Sequence, residues 1–167
     1  MATTLSSKIT PCLWCDGNAE EAVSFYTGIF KNSRILGTAY YGESGQDQHG
    51  QKPGRVMMIS FELEGQSYVA LNGGPNFKFN EAISFQIFCD TQEELDYYWD
   101  KLNDGGDPDS QVCGWLKDRF GMSWQVVPSF IPDLLTTSDQ AKCDRVMAEV
   151  MNMTKLDIAT LLKAADA

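Results

Sequence analysis

Asn18-Ala19-Glu20-Glu21-Ala22-Val23-Ser24-Phe25-Tyr26-Thr27-Gly28-Ile29-Phe30 and Thr91-Gln92-Glu93-Glu94-Leu95-Asp96-Tyr97-Tyr98-Trp99-Asp100-Lys101-Leu102 carry one pattern twice. Each stretch opens on a residue able to cap a helix, with a glutamate three positions on, the spacing of a capping box. Ala22, Phe25, Tyr26 and Ile29 recur at helical intervals, and so do Leu95, Tyr98, Trp99 and Leu102. A shift of 73 residues lays Asn18 on Thr91, Glu21 on Glu94, Tyr26 on Trp99 and Ile29 on Leu102. Gly105-Gly106 ends the second helix.

The flanking segments read as strands. Ile9 to Cys15 is short and largely apolar, and Arg34 to Tyr41 follows the first helix. Gly42 to Gly54 is a polar loop with the only histidine, His49. In Arg55 to Leu63, Met57, Ile59, Phe61 and Leu63 alternate with Met58, Ser60 and Glu62, the period of a half-buried strand. Glu64-Gly65 turns the chain, Gln66 to Leu71 returns, and Asn72-Gly73-Gly74-Pro75 breaks it. The order then restarts: Ile83 to Cys89, the second helix, Val112 to Leu116, a turn over Lys117 to Gly121, and Met122 to Val127 stopped by Pro128. Gly65-Gln66-Ser67-Tyr68 falls on Gly121-Met122-Ser123-Trp124 at a shift of 56, and the long loop around His49 absorbs the difference. The prediction is one α+β domain over residues 1–167: paired βαβββ modules over about 8–72 and 82–128, then a helical tail over about 133–165.

Composition narrows the function. A chain of 167 residues suffices for one core without staples. Thirteen basic against 23 acidic residues leave a net charge of −10, which repels nucleic acid and anionic lipid. No apolar run approaches the ~18 residues of a membrane helix. Met1 to Lys8 lacks the apolar core of a secretory signal. An odd count of five cysteines then predicts reduced thiols in the cytoplasm.

Several strings resemble one family. Trp14-Cys15-Asp16-Gly17-Asn18-Ala19-Glu20-Glu21-Ala22, Ala70-Leu71-Asn72-Gly73-Gly74-Pro75 and Phe77-Lys78-Phe79-Asn80-Glu81-Ala82 look like the PhnB-like group of the vicinal-oxygen-chelate (glyoxalase-like) superfamily. So do Cys113-Gly114-Trp115-Leu116-Lys117-Asp118 and Ser123-Trp124-Gln125-Val126-Val127-Pro128. Members often carry the label 3-demethylubiquinone-9 3-methyltransferase. The resemblance implies a cavity between the modules and a homodimer. It also implies a metal held by one ligand on the first and one on the last strand of each module. Laid on the repeat, those positions are Pro11, Val69, Ser84 and Gln125, a poor set for a divalent ion. No metal and no cofactor are therefore expected.

Strand parity selects the candidate ligand-binding residues: Leu13, Met58, Ser60, Ser67, Val69, Ser84, Gln86 and Gln125, with Cys113 and Trp115 from the Cys-Gly-Trp string. Glu62 is the acid on that face; a general base and a solvated strand end are both open to it. Trp115 has two readings, stacking on a planar ligand and packing at a strand edge. Cys12 and Cys15 lie on a strand and face opposite sides, against a redox or zinc pair. Lys117-Asp118-Arg119 reads as a solvated turn, and His49 as a solvated loop residue. Gly73-Gly74-Pro75 opens no helix, so it offers no S-adenosylmethionine loop. In the tail, Cys143, Val146, Met147, Val150 and Met151 form one helical stripe, and Thr154 and Asp157 can cap a second helix. These helices are expected to cover a sheet edge or a subunit boundary. The function expected is binding of a small organic molecule, in part aromatic; the alternative is an enzyme, by methyl transfer or by metal-dependent glyoxalase or dioxygenase chemistry.

Overall fold

Strand β1 (Cys12–Cys15), helix α1 (Ala19–Ile29), β2 (Ser33–Tyr40), the short α2 (Gln46–His49), β3 (Val56–Leu63) and β4 (Gln66–Asn72) follow in chain order in the computed structural model. After them come β5 (Phe85–Cys89), α3 (Gln92–Asn103), β6 (Asp107–Val112), β7 (Trp115–Lys117) and β8 (Ser123–Pro128). The tail is α4 (Ile131–Leu135), α5 (Gln140–Met151) and α6 (Ile158–Asp166). The structure describes residues 8–167, so the reading of Met1 to Lys8 lies outside it except at Lys8. The chain divides into two compact units after Lys78.

Both units share one topology. The sheet of unit 1 runs β1-β4-β3-β2 and that of unit 2 runs β5-β8-β7-β6. In each, the first and last strands of the βαβββ order pair in parallel, and the other neighbours are antiparallel. One face of each sheet packs on its helix. In unit 1, Leu13, Ala70 and Ile59 lie in one cross-strand row beside the pair Phe61 and Tyr68. All five are buried, as are Ala22, Val23, Tyr26 and Ile29 of α1. In unit 2, Phe85, Trp124 and Leu116 form the matching row, and α3 buries Leu95, Tyr98, Trp99 and Leu102. The alternation of β3 is as the sequence predicts: Ile59, Phe61 and Leu63 are buried, while Ser60 and Glu62 are half-exposed.

Several expectations need correction. Thr91 caps α3, accepting the Glu94 N–H at 3.2 Å, while Glu94 reaches back to the Asp90 N–H at 2.9 Å. Asn18 makes no such side-chain bond. The first N–H of α1, on Ala19, is instead accepted by the side chain of Asn72, 53 residues on, at 2.9 Å. The connections also differ in length. Three residues join β1 to α1 and two join β5 to α3, with Gly17 in the longer link at φ +81°. A non-glycine side chain is strained there. The helices therefore correspond at a shift of 73, but the strands before them at 74, which lays Cys15 on Cys89.

Val112 to Leu116 is not one strand. Cys113 (φ +52°) and Gly114 (φ +83°) turn the chain between β6 and β7. Strand β6 holds Asp107, Pro108 and Asp109, a composition that hides a strand; at a sheet edge the missing proline donor is tolerated. Lys117 to Arg119 is no solvated turn either. Asp118 is buried, and its carboxylate accepts from the N–H of Phe120 (2.8 Å), the N–H of Met122 (3.0 Å) and the indole N–H of Trp124 (2.8 Å).

The tail closes on unit 2. The N–H groups of Cys113 and Gly114 donate to the carbonyls of Met153 and Thr154, both at 2.8 Å. Gln92 of α3 holds the entry to α6, donating to the Leu156 carbonyl (3.2 Å) and accepting from the Ile158 N–H (2.8 Å). Lys155 pairs with Asp96 at 2.8 Å. Leu156, Val146 and Leu161 are buried. Asp157 caps α6, accepting from the Thr160 N–H at 2.7 Å.

Candidate functional site

Each sheet has a second face, turned away from its helix. Cross-strand register assembles that face residue by residue. In unit 1, Cys12, Val69 and Ser60 form one row, Trp14, Leu71 and Met58 a second, and Ser67, Glu62 and Arg34 a third. In unit 2, Gln86, Gln125 and Trp115 form one row, Phe88 and Val127 a second, and Ser123 and Lys117 a third. Most of the predicted ligand-binding residues thus share the face turned away from the helix: Met58, Ser60 and Val69 with the fully buried Ser67 in one unit, Ser84, Gln86, Trp115 and Gln125 in the other.

Two do not. Leu13 is on the buried row toward α1; the residue inserted at Gly17 moves the strand by one position and so reverses its face. Cys12 and Trp14 occupy the open face instead. Cys113 sits in the β6–β7 turn, pinned to the tail, with its Sγ 3.9 Å from Met151 Sδ.

The open faces differ in chemistry. That of unit 1 is a thiol, a thioether, an indole and aliphatic groups, with Ser60 among them. Its Trp14 lies over Gly73, where an added Cβ would collide with the indole ring. The indole N–H donates to the Gly74 carbonyl at 2.7 Å, and Phe77 meets the ring edge-on at 4.9 Å. Asn72-Gly73-Gly74-Pro75 is therefore a seat for Trp14. Glu62 is engaged by Arg34 at 3.3 Å across β2 and β3.

The face of unit 2 carries a ladder of amides. Gln125 donates to the Ser84 hydroxyl at 2.7 Å and accepts from the Gln86 amide at 3.1 Å. Trp115 stands beside Gln125, half-buried. Lys117 is paired with Glu81, whose carboxyl is held below its ordinary range by the hydrogen bond from that lysine. Ser123 is buried, and its hydroxyl finds no hydrogen-bond partner among the described residues.

Three of the five thiols are held in the protonated form. Burial raises Cys12 above its ordinary value. Burial, with the charge of Cys12, pushes Cys15 up to about 11. Burial, then Glu94 and Asp90, pushes Cys89 up to about 12. A thiol so raised is protonated at neutral pH and a weak nucleophile. His49 is half-buried rather than solvated. Its ring packs on Tyr41 at 4.6 Å, and its Nδ1 accepts the Gln51 N–H at 3.0 Å.

The metal that the fold family implies does not fit these residues. Val69 donates its backbone N–H to the Pro11 carbonyl at 3.0 Å, and neither side chain carries a donor atom. Ser84 and Gln125 are bonded to each other. At the corrected strand shift the twin of Gln86 is Cys12, which adds one protonated thiol. Among the described residues, no three His, Cys, Asp or Glu side chains are grouped to hold an ion. Sequence reasoning missed Asp118 and Asn72 as organisers of this architecture; both act through contacts far along the chain or inside a turn that looks hydrophilic.

The family model for 3-demethylubiquinone-9 3-methyltransferase matches residues 7–127, so α4 to α6 lie beyond it. Among solved structures, the chain is similar to a putative 3-demethylubiquinone-9 3-methyltransferase, PhnB protein, from Bacillus cereus. The two are 36% identical over 72% of this chain and 99% of the other, with a TM-score of 0.60. A protein from Pseudomonas aeruginosa is 22% identical over 74% and 97% of the two chains, at a TM-score of 0.54. The fosfomycin resistance protein FosX of Listeria monocytogenes is 12% identical over 80% and 100%, at 0.55, and shares the fold. No curated protein matches. With two βαβββ units in place and the family model spanning both, the chain belongs to the 3-demethylubiquinone-9 3-methyltransferase family, as a PhnB-like member.

Proposed function

We propose that this protein binds a small organic molecule, in part aromatic, on the open sheet face of unit 2 and without a resident metal. The observation that supports it most is the pairing of neutral hydrogen-bonding groups with an aromatic wall. Ser84, Gln125 and Gln86 form a linked polar line, and Trp115 stands next to it. A few oriented polar groups among apolar ones are what a small-molecule site needs. Phe88 and Val112, 47% and 54% exposed, extend the apolar surface. The test is a thermal-shift screen of aromatic fragments. Stabilisation should saturate at one ligand per chain and be lost in Trp115→Ala. A ligand at a hundred times its Kd should add about 2.7 kcal/mol. No stabilisation by any fragment, or equal stabilisation of Trp115→Ala, would refute it.

The family description and the printed name of the Bacillus cereus relative favour a second reading, methyl transfer to a small acceptor. In that reading Glu62 is the acid–base residue, and Glu62→Gln should slow turnover. Calorimetry with S-adenosylmethionine tests it directly: heat with saturation supports transfer, and no heat at high concentration removes it. We further propose a homodimer, checked by light scattering as a mass twice 18.6 kDa. The five free cysteines support a reducing compartment such as the cytoplasm, which fractionation of the source cells would test.

A further inference from the structure

Resting on the ligand-face reading above, we propose that the face of unit 2 selects a neutral ligand that carries both a hydrogen-bond donor and an acceptor. Carboxamides, lactams and hydroxy-ketones are of this class; carboxylates and phosphates are not. The geometry of the ladder carries the inference. Gln125 spends one amide hydrogen on Ser84 (2.7 Å) and its carbonyl on Gln86 (3.1 Å). Ser84 then keeps its hydroxyl hydrogen as a free donor, and Gln86 keeps its carbonyl oxygen as a free acceptor. Hydrogen bonds in such a chain polarise one another, so its two ends are strengthened in opposite senses.

The direction of the chain can also reverse. Turning both amides over makes Gln86 the donor end and Ser84 the acceptor end, with every internal bond kept. In either direction the face offers one acceptor end and only uncharged donors, the opposite end of the ladder and the second hydrogen of each amide, with no charge among them. An anion is held most strongly by a cation, through charge-assisted hydrogen bonds. The cation nearest by register, Lys117, is already neutralised by Glu81. The indole N–H of Trp115, in the same row as Gln125, adds one neutral donor beside an aromatic surface. A carboxylate would meet the carbonyl end of the ladder here and find no free cation to pair with. Leaving such a charge unpaired costs more than leaving a neutral group unpaired.

Three isosteric probes separate the possibilities: benzamide (donor and acceptor), acetophenone (acceptor only) and benzoate (anion). Binding is followed by NMR through the side-chain amides of Gln86 and Gln125 and the indole of Trp115 in the full chain. Benzamide should move these signals with a Kd at least tenfold below that of benzoate, and acetophenone should fall between. Gln125→Leu should level the three affinities while the Trp115 signal still responds. Ser84→Ala, a milder change, removes the donor end and should weaken benzamide and acetophenone alike, each several-fold. Benzoate binding as tightly as benzamide would overturn the neutral-ligand inference while leaving the ligand face intact. No movement of any of these signals with any probe would overturn both.

Discussion

The two units share a topology and differ in how they hold it. Helix α3 is capped from within by Thr91 and Glu94, three residues apart. Helix α1 borrows its cap from Asn72, at the end of β4, the strand that pairs with β1. The same asparagine donates to Glu20 (3.1 Å) and to the Val56 carbonyl (3.0 Å), and its own carbonyl accepts from Tyr41 at 2.6 Å. Unit 2 has Pro128 as the last residue of the matching strand, with no side chain for this task. It organises its strand hairpin around buried Asp118 instead. After duplication, then, each copy can satisfy its helix end and its turn by different residues, provided every buried donor finds an acceptor.

The largest effect should come from Asp118. Asp118→Ala strands up to three donors, one of them a buried indole N–H, and should cost about 3 kcal/mol in urea unfolding. The tight turn of unit 1 has no buried carboxylate, so Glu64→Ala should stay within about 0.5 kcal/mol. Equal losses at the two turns would break the comparison.

Caps come next. Asn72→Ala should cost about 2 kcal/mol, because a buried amide with three partners is lost. Thr91→Ala should cost about 1 kcal/mol as an ordinary cap, and Asn18→Ala under about 0.5 kcal/mol because its side chain caps nothing. A loss at Asn18 as large as at Thr91 would restore a local cap to α1.

Cys15 and Cys89, twins under the shift of 74, sharpen the comparison further. Both should react with a disulfide reagent at pH 8 more than tenfold slower than Cys143, which is half-exposed. Their folded values, about 11 and about 12, lie above the ~8.5 of a free thiol. The stability they contribute is therefore complete below pH ~8.5 and lost as pH rises through the folded values. Unfolding midpoints should fall from pH 8 to pH 10, and less so in Cys89→Ala.

The smallest effect is on the acid side. Asp96 is held below its ordinary value by hydrogen bonds from Lys155, first, and Gln92. Its contribution is present above pH ~3.9 and lost as pH falls through the folded value. Asp96→Asn should flatten the acid limb slightly, since the pair is near the surface and screened.

Much of this architecture was legible from local pattern. Thr91 with Glu94, the alternation of Ile59, Phe61 and Leu63, and the strand read over Met122 to Val127 and found over Ser123–Pro128 are all short-range signals. What escaped was set by distance or by a single inserted residue. Asn72 caps a helix 53 positions away, which no window of sequence displays. Gly17 adds one residue before α1, so Leu13 turned inward and Cys12 outward, although the second-unit positions Ser84 and Gln86 kept their parity. Strand β6 hid behind Pro108 and two aspartates because an edge strand tolerates them. Asp118 looked like a solvated turn because two of its partners are backbone N–H groups, which sequence does not show, and the third is the indole of Trp124 across the turn.

Soaking crystals with a mixture of neutral aromatic fragments tests the central claim most directly, since both faces compete in one experiment. The account predicts density against Trp115 and Gln125 of unit 2, with a polar atom of the fragment at the Ser84 or Gln86 end of the ladder. Fragments found only against Trp14 and Met58 of unit 1, or only in the tail groove of about 300 Å³ lined by Phe130, Asp133 and Leu162, would contradict it.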